Sequence, residues 1–237
     1  MARLSINVDC IAAFRQMLGE KEPDPVSMVM LAELGGVDGV VCSLNEKLHP
    51  VSERDIRLLK GVVKSHLNIR VTPTNKLVSM VISIAPDMVT VIPTDVFSTG
   101  KIGRLDIVSR FESLAGVIEN LNSHGFVVNV MIPPQIQQLK EASKLNCDYV
   151  EFNLNMFNKT KDYEERAEQL ENISSLCLAA EKLNLGVMVG SGLSYKNIND
   201  IINISAIEEV NIGQAIFTRA IAIGVEAAVR DMVALVH

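Results

Sequence analysis

Eight short apolar runs, rich in β-branched residues, alternate with longer helical patterns along this chain, and that alternation limits the possible folds more than any other feature. The runs are Leu4–Val8, Gly39–Leu44, Asn68–Thr72, Met88–Ile92, Val127–Met131, Tyr149–Leu154, Gly186–Val189 and Glu209–Ile212. Between them apolar residues recur at three- and four-residue spacing. Ala167, Leu170, Ile173, Cys177 and Ala180 make one such stripe, and Ile221, Val225, Ala228, Met232 and Leu235 another. This spacing gives a helix one face to bury. Stretches such as Gly-Val-Val-Cys and Phe-Val-Val-Asn-Val-Met-Ile are apolar on both faces, as in parallel strands covered on two sides. Eight β-then-α units in 237 residues match the size of a (β/α)8 TIM barrel. No Pro/Ser/Gly-rich linker splits the chain, so residues 1–237 are expected to form a single barrel domain with extra helices. An open doubly wound sheet is the competing architecture. Asp9-Cys10-Ile11-Ala12 after the first strand lacks the Gly-x-Gly-x-x-Gly pattern of a dinucleotide fold.

Composition narrows the partners. Apolar residues make up 48% of the chain, enough for a sizeable core, and the formal net charge is −6. An acidic balance argues against nucleic acid, which needs a basic face to displace counterions. With no Trp and 4% aromatics there is little to stack on bases or to anchor at a membrane. No apolar run reaches the ~20 residues that span a bilayer, and Met1-Ala2-Arg3 leads into a strand rather than a signal peptide. A cytoplasmic protein is expected, binding neither nucleic acid nor membrane. Cys10, Cys42, Cys147 and Cys177 form no C-x-x-C pair, so reduced thiols are the default.

In a barrel, chemistry sits at the C-terminal ends of the strands. Those ends carry Asn7 and Asp9; Ser43 and Asn45; Arg70 and Thr72; Pro93 and Thr94; Met131; Glu151 and Asn153; Gly190-Ser191-Gly192; and Asn211-Ile212-Gly213-Gln214. This rim is polar but has neither His nor Lys on the strand ends, and the missing Lys weighs against a Schiff-base aldolase. The last two loops are expected to open helices and to form a phosphate site from backbone N–H groups, unless their glycines serve only as turn residues. Asp9 and Glu151 can act as an acid–base pair across the mouth, or Asp9 can cap the following helix. Glu151 lies mid-strand and needs a partner if it faces inward, for which Arg70 is placed. His66, His124 and His237 read as solvated, whereas His49 lies in the loop after the second strand, within reach of a ligand. Cys10 and Cys42 fall near the rim as buried or reactive thiols. No His/Cys/Asp/Glu cluster has metal-ligand spacing.

Blocks spread over the whole chain are similar to the pyridoxine 5′-phosphate synthase family. They are Ile6–Ala12, Pro23–Val26, Ala32–Gly39, Arg54–Leu59, Gly190-x-Gly-Leu-Ser-Tyr-x-Asn through Asn197, and Asn211-Ile-Gly-x-Ala-Ile-x-x-Arg-Ala through Ala220. The resemblance implies a closed barrel, assembled as a homo-oligomer, with no metal or organic cofactor. The reaction it implies condenses 1-deoxy-D-xylulose 5-phosphate with 3-amino-2-oxopropyl phosphate. It assigns substrate binding to Asn7, Asp9, Gly192 and Gly213 and a transition-state-stabilising role to Glu151. At other family positions this chain differs. Cys10 replaces a His, Leu18 an Arg, Ser43 a proton-accepting His, and Asn45 an Arg. Arg70 replaces the catalytic Glu, Ser191 a proton-donating His, and Gln214 a His.

Ring closure needs groups that titrate near neutral pH, which hydroxyls, amides and a guanidinium do not. The expectation is therefore a divergent family member that keeps a phosphate-binding mouth for a small phosphorylated metabolite but has lost the reaction. Three alternatives stand beside it: altered chemistry through Cys10, Asp9 and Glu151; a working synthase with relocated roles; and a partner subunit for an intact relative. The Thr94–Arg104 segment, with Ser98-Thr99-Gly100-Lys101, suits a loop contacting phosphate or a solvated one.

Overall fold

The computed structural model describes residues 1–45, 50–92, 106–160 and 162–237. His49, Pro93, Thr94 and the Thr94–Arg104 segment lie outside the described residues. The strands are β1 (Arg3–Asn7), β2 (Gly39–Leu44), β3 (His66–Val71), β4 (Met88–Val91), β5 (Val127–Ile132), β6 (Tyr149–Asn153), β7 (Gly186–Gly190) and β8 (Glu209–Ile212). They pair in parallel, in sequence order, and β1 closes on β8 with Ser5 opposite Asn211. The sheet is a closed barrel rather than an open doubly wound one. Around it lie α1 (Asp9–Leu18), α2 (Pro25–Gly35), α3 (Glu53–Val62), α4 (Asn75–Ile84), α5 (Ile107–Ser123), α6 (Ile136–Ala142), α7 (Asn155–Lys159), α8 (Tyr163–Lys182), α9 (Ile198–Ile202), α10 (Gln214–Ile223) and α11 (Val225–Val236). The barrel thus carries extra helices, as expected. Among the described residues no helix is long and apolar enough to cross a membrane.

Strand alternation separates two cores. Outward residues such as Leu4, Ile6, Val40, Leu44, Ile69, Val89, Val130, Phe152, Val187 and Val210 form one apolar sleeve with the helices. Each such side chain contributes about 1.5–3 kcal/mol by leaving water. The inward residues are largely polar: Ser5, Asn68, Arg70, Thr90, Asn129, Glu151, Glu209 and Asn211 are all buried. They bond across the barrel, Thr90 Oγ1 donating to Asn68 Oδ1 (2.8 Å) and Asn129 Nδ2 to Thr90 Oγ1 (3.1 Å). The strands are covered on both faces, as their sequences suggest, but the inner face is not the branched aliphatic packing usual in such barrels.

One sequence expectation fails at the N-terminal end. His66 is not in a solvated helix or turn; it opens β3, with Nδ1 3.3 Å from the Asp38 carbonyl and Nε2 3.6 Å from the buried Glu209 carboxylate. The inner polar layer draws the imidazole inward, toward a carboxylate that also accepts from Ser5 Oγ at 2.7 Å.

Local chemistry sets the helix starts. Asp24 caps α2 by accepting from the Val26 N–H, with Pro25 at the first helical position. Ser52 and Asp55 form a reciprocal capping box at the start of α3. The Asp55 carboxylate is fully buried and also takes two hydrogen bonds from Arg15 of α1, at 3.1 and 2.5 Å. Burial alone would raise its pKa, but Arg15 and the Ser52 donors outweigh that and hold it down to about 2. A carboxyl depressed in the folded state stabilises the fold above its ordinary value and loses that contribution as pH falls. Asp55→Ala is expected to cost on the order of 3 kcal/mol at neutral pH. The deficit should shrink between about pH 4 and about pH 2, as urea melts of both proteins would read out.

Candidate functional site

A cavity of about 990 Å³ opens at the C-terminal ends of the strands. Asn7, Asp9, Cys10, Arg70, Ser191, Gly192, Gly213 and Gln214 all line it, so the structure gathers these sequence candidates in one place. Ser43, Asn45 and Glu151 do not line it. They are buried behind or beneath its walls.

The β1–α1 turn is built by two side chains. Asn7 Oδ1 accepts the Asp9 N–H (2.9 Å), and Asn7 Nδ2 donates to Asp9 Oδ2 (3.0 Å). Asp9 then reaches β2, accepting the Ser43 N–H at 2.7 Å and the Ser43 hydroxyl at 2.5 Å. Asp9 therefore neither caps α1, whose cap position is Val8, nor pairs with Glu151. It latches the first turn to the second strand. Cys10 is half-buried, and burial together with the Asp9 carboxylate pushes its thiol up to about 12. Burial drives the Cys42 thiol well above its ordinary value as well. Neither is an activated nucleophile: at Cys10 the backbone N–H groups of Ile11 and Cys10 itself favour the thiolate, but burial and Asp9 outweigh them, and at Cys42 burial dominates.

At the barrel centre, Arg70 Nη2 donates to Glu151 Oε1 in a buried ion pair. This is the inward partnership that the mid-strand position of Glu151 calls for. Burial pushes the Glu151 carboxyl up, Arg70 pulls it down, and Glu209 adds to the rise; the net direction is upward. The pair occupies the space that a side chain on Gly190 would need. A Cβ there would lie 2.3 Å from Glu151 Oε1 and 3.3 Å from Arg70 Nη2.

The last two loops differ from one another. Gly213 leads directly into the ten-residue helix α10, whose first-turn N–H groups lack intrahelical partners and favour an anion. Only glycine fits there, because a Cβ would lie 2.5 Å from the Asn7 carbonyl oxygen. The β7 loop does not open a helix as expected. Ser191 has a left-handed φ of 68°, and Asn197 then closes a turn by accepting the Ser194 N–H (2.7 Å) and donating to the Gly192 carbonyl (3.0 Å). Helix α9 starts only at Ile198 because the Asn197 side chain satisfies the intervening backbone.

Sequence reasoning missed the outer edge: Asn155 and Asn158 of α7, Tyr195, Lys196, Thr218 and Arg219 also line the cavity. Thr218 lies one helical turn beyond Gln214, so four-residue spacing could have found it. Arg219 stacks over the Tyr195 ring at 4.8 Å and bonds Asp231 at 2.8 Å. The five-residue α7 is too short to leave a periodic signal. Among the described residues no group of three or more His, Cys, Asp or Glu is placed to hold a metal ion.

Residues 4–237 match the family described as Pyridoxal phosphate biosynthesis protein PdxJ. The pyridoxine 5′-phosphate synthase of Geotalea daltonii is 38% identical over 236 residues, covering 100% of this chain and 99% of the relative. That of Syntrophobacter fumaroxidans is 38% identical over 237 residues, covering 100% of both. Among solved structures, phosphoribosyl anthranilate isomerase from Thermotoga maritima aligns over 100% of this chain and 98% of its own, with TM-score 0.63 and 12% identity. A 3-hexulose-6-phosphate synthase aligns over 99% and 100%, with TM-score 0.63 and 16% identity. At such identities these two share the fold alone.

Proposed function

Because this chain belongs to the PdxJ family of pyridoxal phosphate biosynthesis proteins, whose curated relatives are pyridoxine 5′-phosphate synthases, we propose that it retains the family's phosphate-binding mouth while having lost its ring-forming reaction. The observation that carries the reading is the buried ion pair at the barrel centre. The resemblance assigns a catalytic carboxylate to position 70, where this chain has a guanidinium that stays protonated at any working pH. Arg70 also engages Glu151, the one retained residue of the catalytic group, to which the resemblance assigns a transition-state-stabilising role, and Glu151 does not line the cavity. The other proton-transfer positions carry Ser43, already bonded to Asp9, and Ser191.

Phosphate binding rests on the α10 N-terminus behind Gly213 and on the cations Lys196 and Arg219 at the cavity edge. A small phosphorylated metabolite is the expected ligand. Calorimetric titration with inorganic phosphate tests the binding half: the wild type should bind, and Gln214→Glu, which sets a negative charge in the first turn of α10, should abolish the heat. Pyridoxine 5′-phosphate formation by the purified protein tests the other half and should be absent. Failure to bind phosphate, or robust product formation, overturns the reading.

A further inference from the structure

We propose that Arg70 anchors a second, carboxylate-binding subsite beneath the phosphate loops, so that the ligand of this protein is a small phosphorylated carboxylic acid. The inference rests on the phosphate-binding reading above and names the substrate class for the same mouth. Arg70 is 9% exposed, and the surface it keeps faces the cavity it lines. Among the described residues only its Nη2 has a partner, Glu151, and its Nε is buried without one. Such a guanidinium is incomplete, because a buried donor without a partner keeps its desolvation cost.

A second side chain is left open in the same place. Asn211 on β8 is 3% exposed and lines the cavity, and neither its Nδ2 nor its Oδ1 has a partner. The two converge at Gly190: a Cβ there would lie 3.3 Å from Arg70 Nη2 and 3.2 Å from Asn211 Cβ. Gly190 immediately precedes the Ser191-Gly192 bend, and Asn211 lies two residues before Gly213. The unmet donors thus sit one step deeper in the barrel than the phosphate loops, within the span of a small molecule.

A planar guanidinium and a planar amide match a carboxylate, which accepts several coplanar hydrogen bonds. Asp9, the carboxylate on the cavity wall, is committed to Ser43 and Asn7 and leaves the Arg70 charge unopposed from that side.

Three probes separate the subsites: inorganic phosphate, glycerol 3-phosphate and 3-phosphoglycerate, the last two alike but for a carboxylate in place of a hydroxymethyl group. The wild type should bind 3-phosphoglycerate at least about tenfold more tightly than glycerol 3-phosphate, the yield of one charge-assisted hydrogen bond. Arg70→Gln should erase that preference and leave inorganic phosphate binding intact. Since this change orphans buried Glu151, the double variant Arg70→Gln/Glu151→Gln repeats the measurement with no unpaired charge, and circular dichroism confirms its fold. Loss of the preference in the double variant supports the subsite. Phosphate binding without a carboxylate preference in the wild type, or a preference that survives the double substitution, overturns the subsite alone. Absence of phosphate binding in the wild type overturns the phosphate reading, and the subsite falls with it.

Discussion

Given 1-deoxy-D-xylulose 5-phosphate and 3-amino-2-oxopropyl phosphate, the purified protein should form pyridoxine 5′-phosphate at least ~10⁴-fold more slowly than the Geotalea daltonii relative assayed beside it. The two substrates are those implied by the family resemblance, and their condensation requires Schiff-base formation, loss of water and phosphate, and aromatisation. Each stage moves protons, and a positioned acid or base contributes about 10²–10⁴-fold. This chain has Ser43, Arg70 and Ser191 at three such positions, and none of these side chains exchanges a proton near neutral pH. Losses among cooperating groups are not additive, so the product of three factors overstates the deficit and about 10⁴ is a floor. A rate within tenfold of the relative, or rescue of a vitamin B6 auxotroph lacking its own synthase, would refute the prediction.

Glu151→Ala should destabilise the fold by about 3–5 kcal/mol, among the largest effects available to a single substitution here. The change removes the Arg70 partner while the guanidinium stays buried, and the uncompensated charge dominates the cost. For a chain of this size the melting temperature should fall by roughly 10 °C, at about 2–4 °C per kcal/mol. The double replacement Arg70→Met/Glu151→Leu should recover most of the loss, because exchanging a whole buried pair for apolar side chains of similar volume is often neutral. A single-variant cost below about 1 kcal/mol would show that the pair is solvated and weak.

Much of the architecture was legible because the strands are short, apolar and regularly spaced. All eight lie within a residue or two of their expected bounds, and the helical stripes at Ile173, Cys177 and Ala180 face the core. The Arg70–Glu151 pair was also legible, since a carboxylate in the middle of a buried strand must find a cation. What escaped was set by long-range geometry. The partner of Asp9 lies 34 positions away on the next strand, so local capping rules could not reveal it. The orientation of His66 on β3 depends on Glu209 on β8, which it meets only across the inner face of the closed barrel. The β7 loop was misjudged because Asn197 satisfies the backbone with its side chain, a substitute for the helical turn that glycine spacing suggested. Period-two alternation fixes which residues share a face, but it does not reveal that the polar face is the one turned inward.

The crowding at Gly190 has a bearing on how such sequences drift. Exchanging Arg70 for Glu alone sets a carboxylate beside Glu151, the combination that the family resemblance implies for working relatives, and like-charge repulsion opposes it here unless surrounding residues change as well. Adding a side chain at position 190 instead drives it into Glu151. Positions 70, 151 and 190 are therefore coupled, and the effect of a change at one depends on what occupies the others. A lineage that has acquired this arrangement leaves it through paired replacements, so its persistence among descendants would record mutational entrenchment as readily as selection for a task.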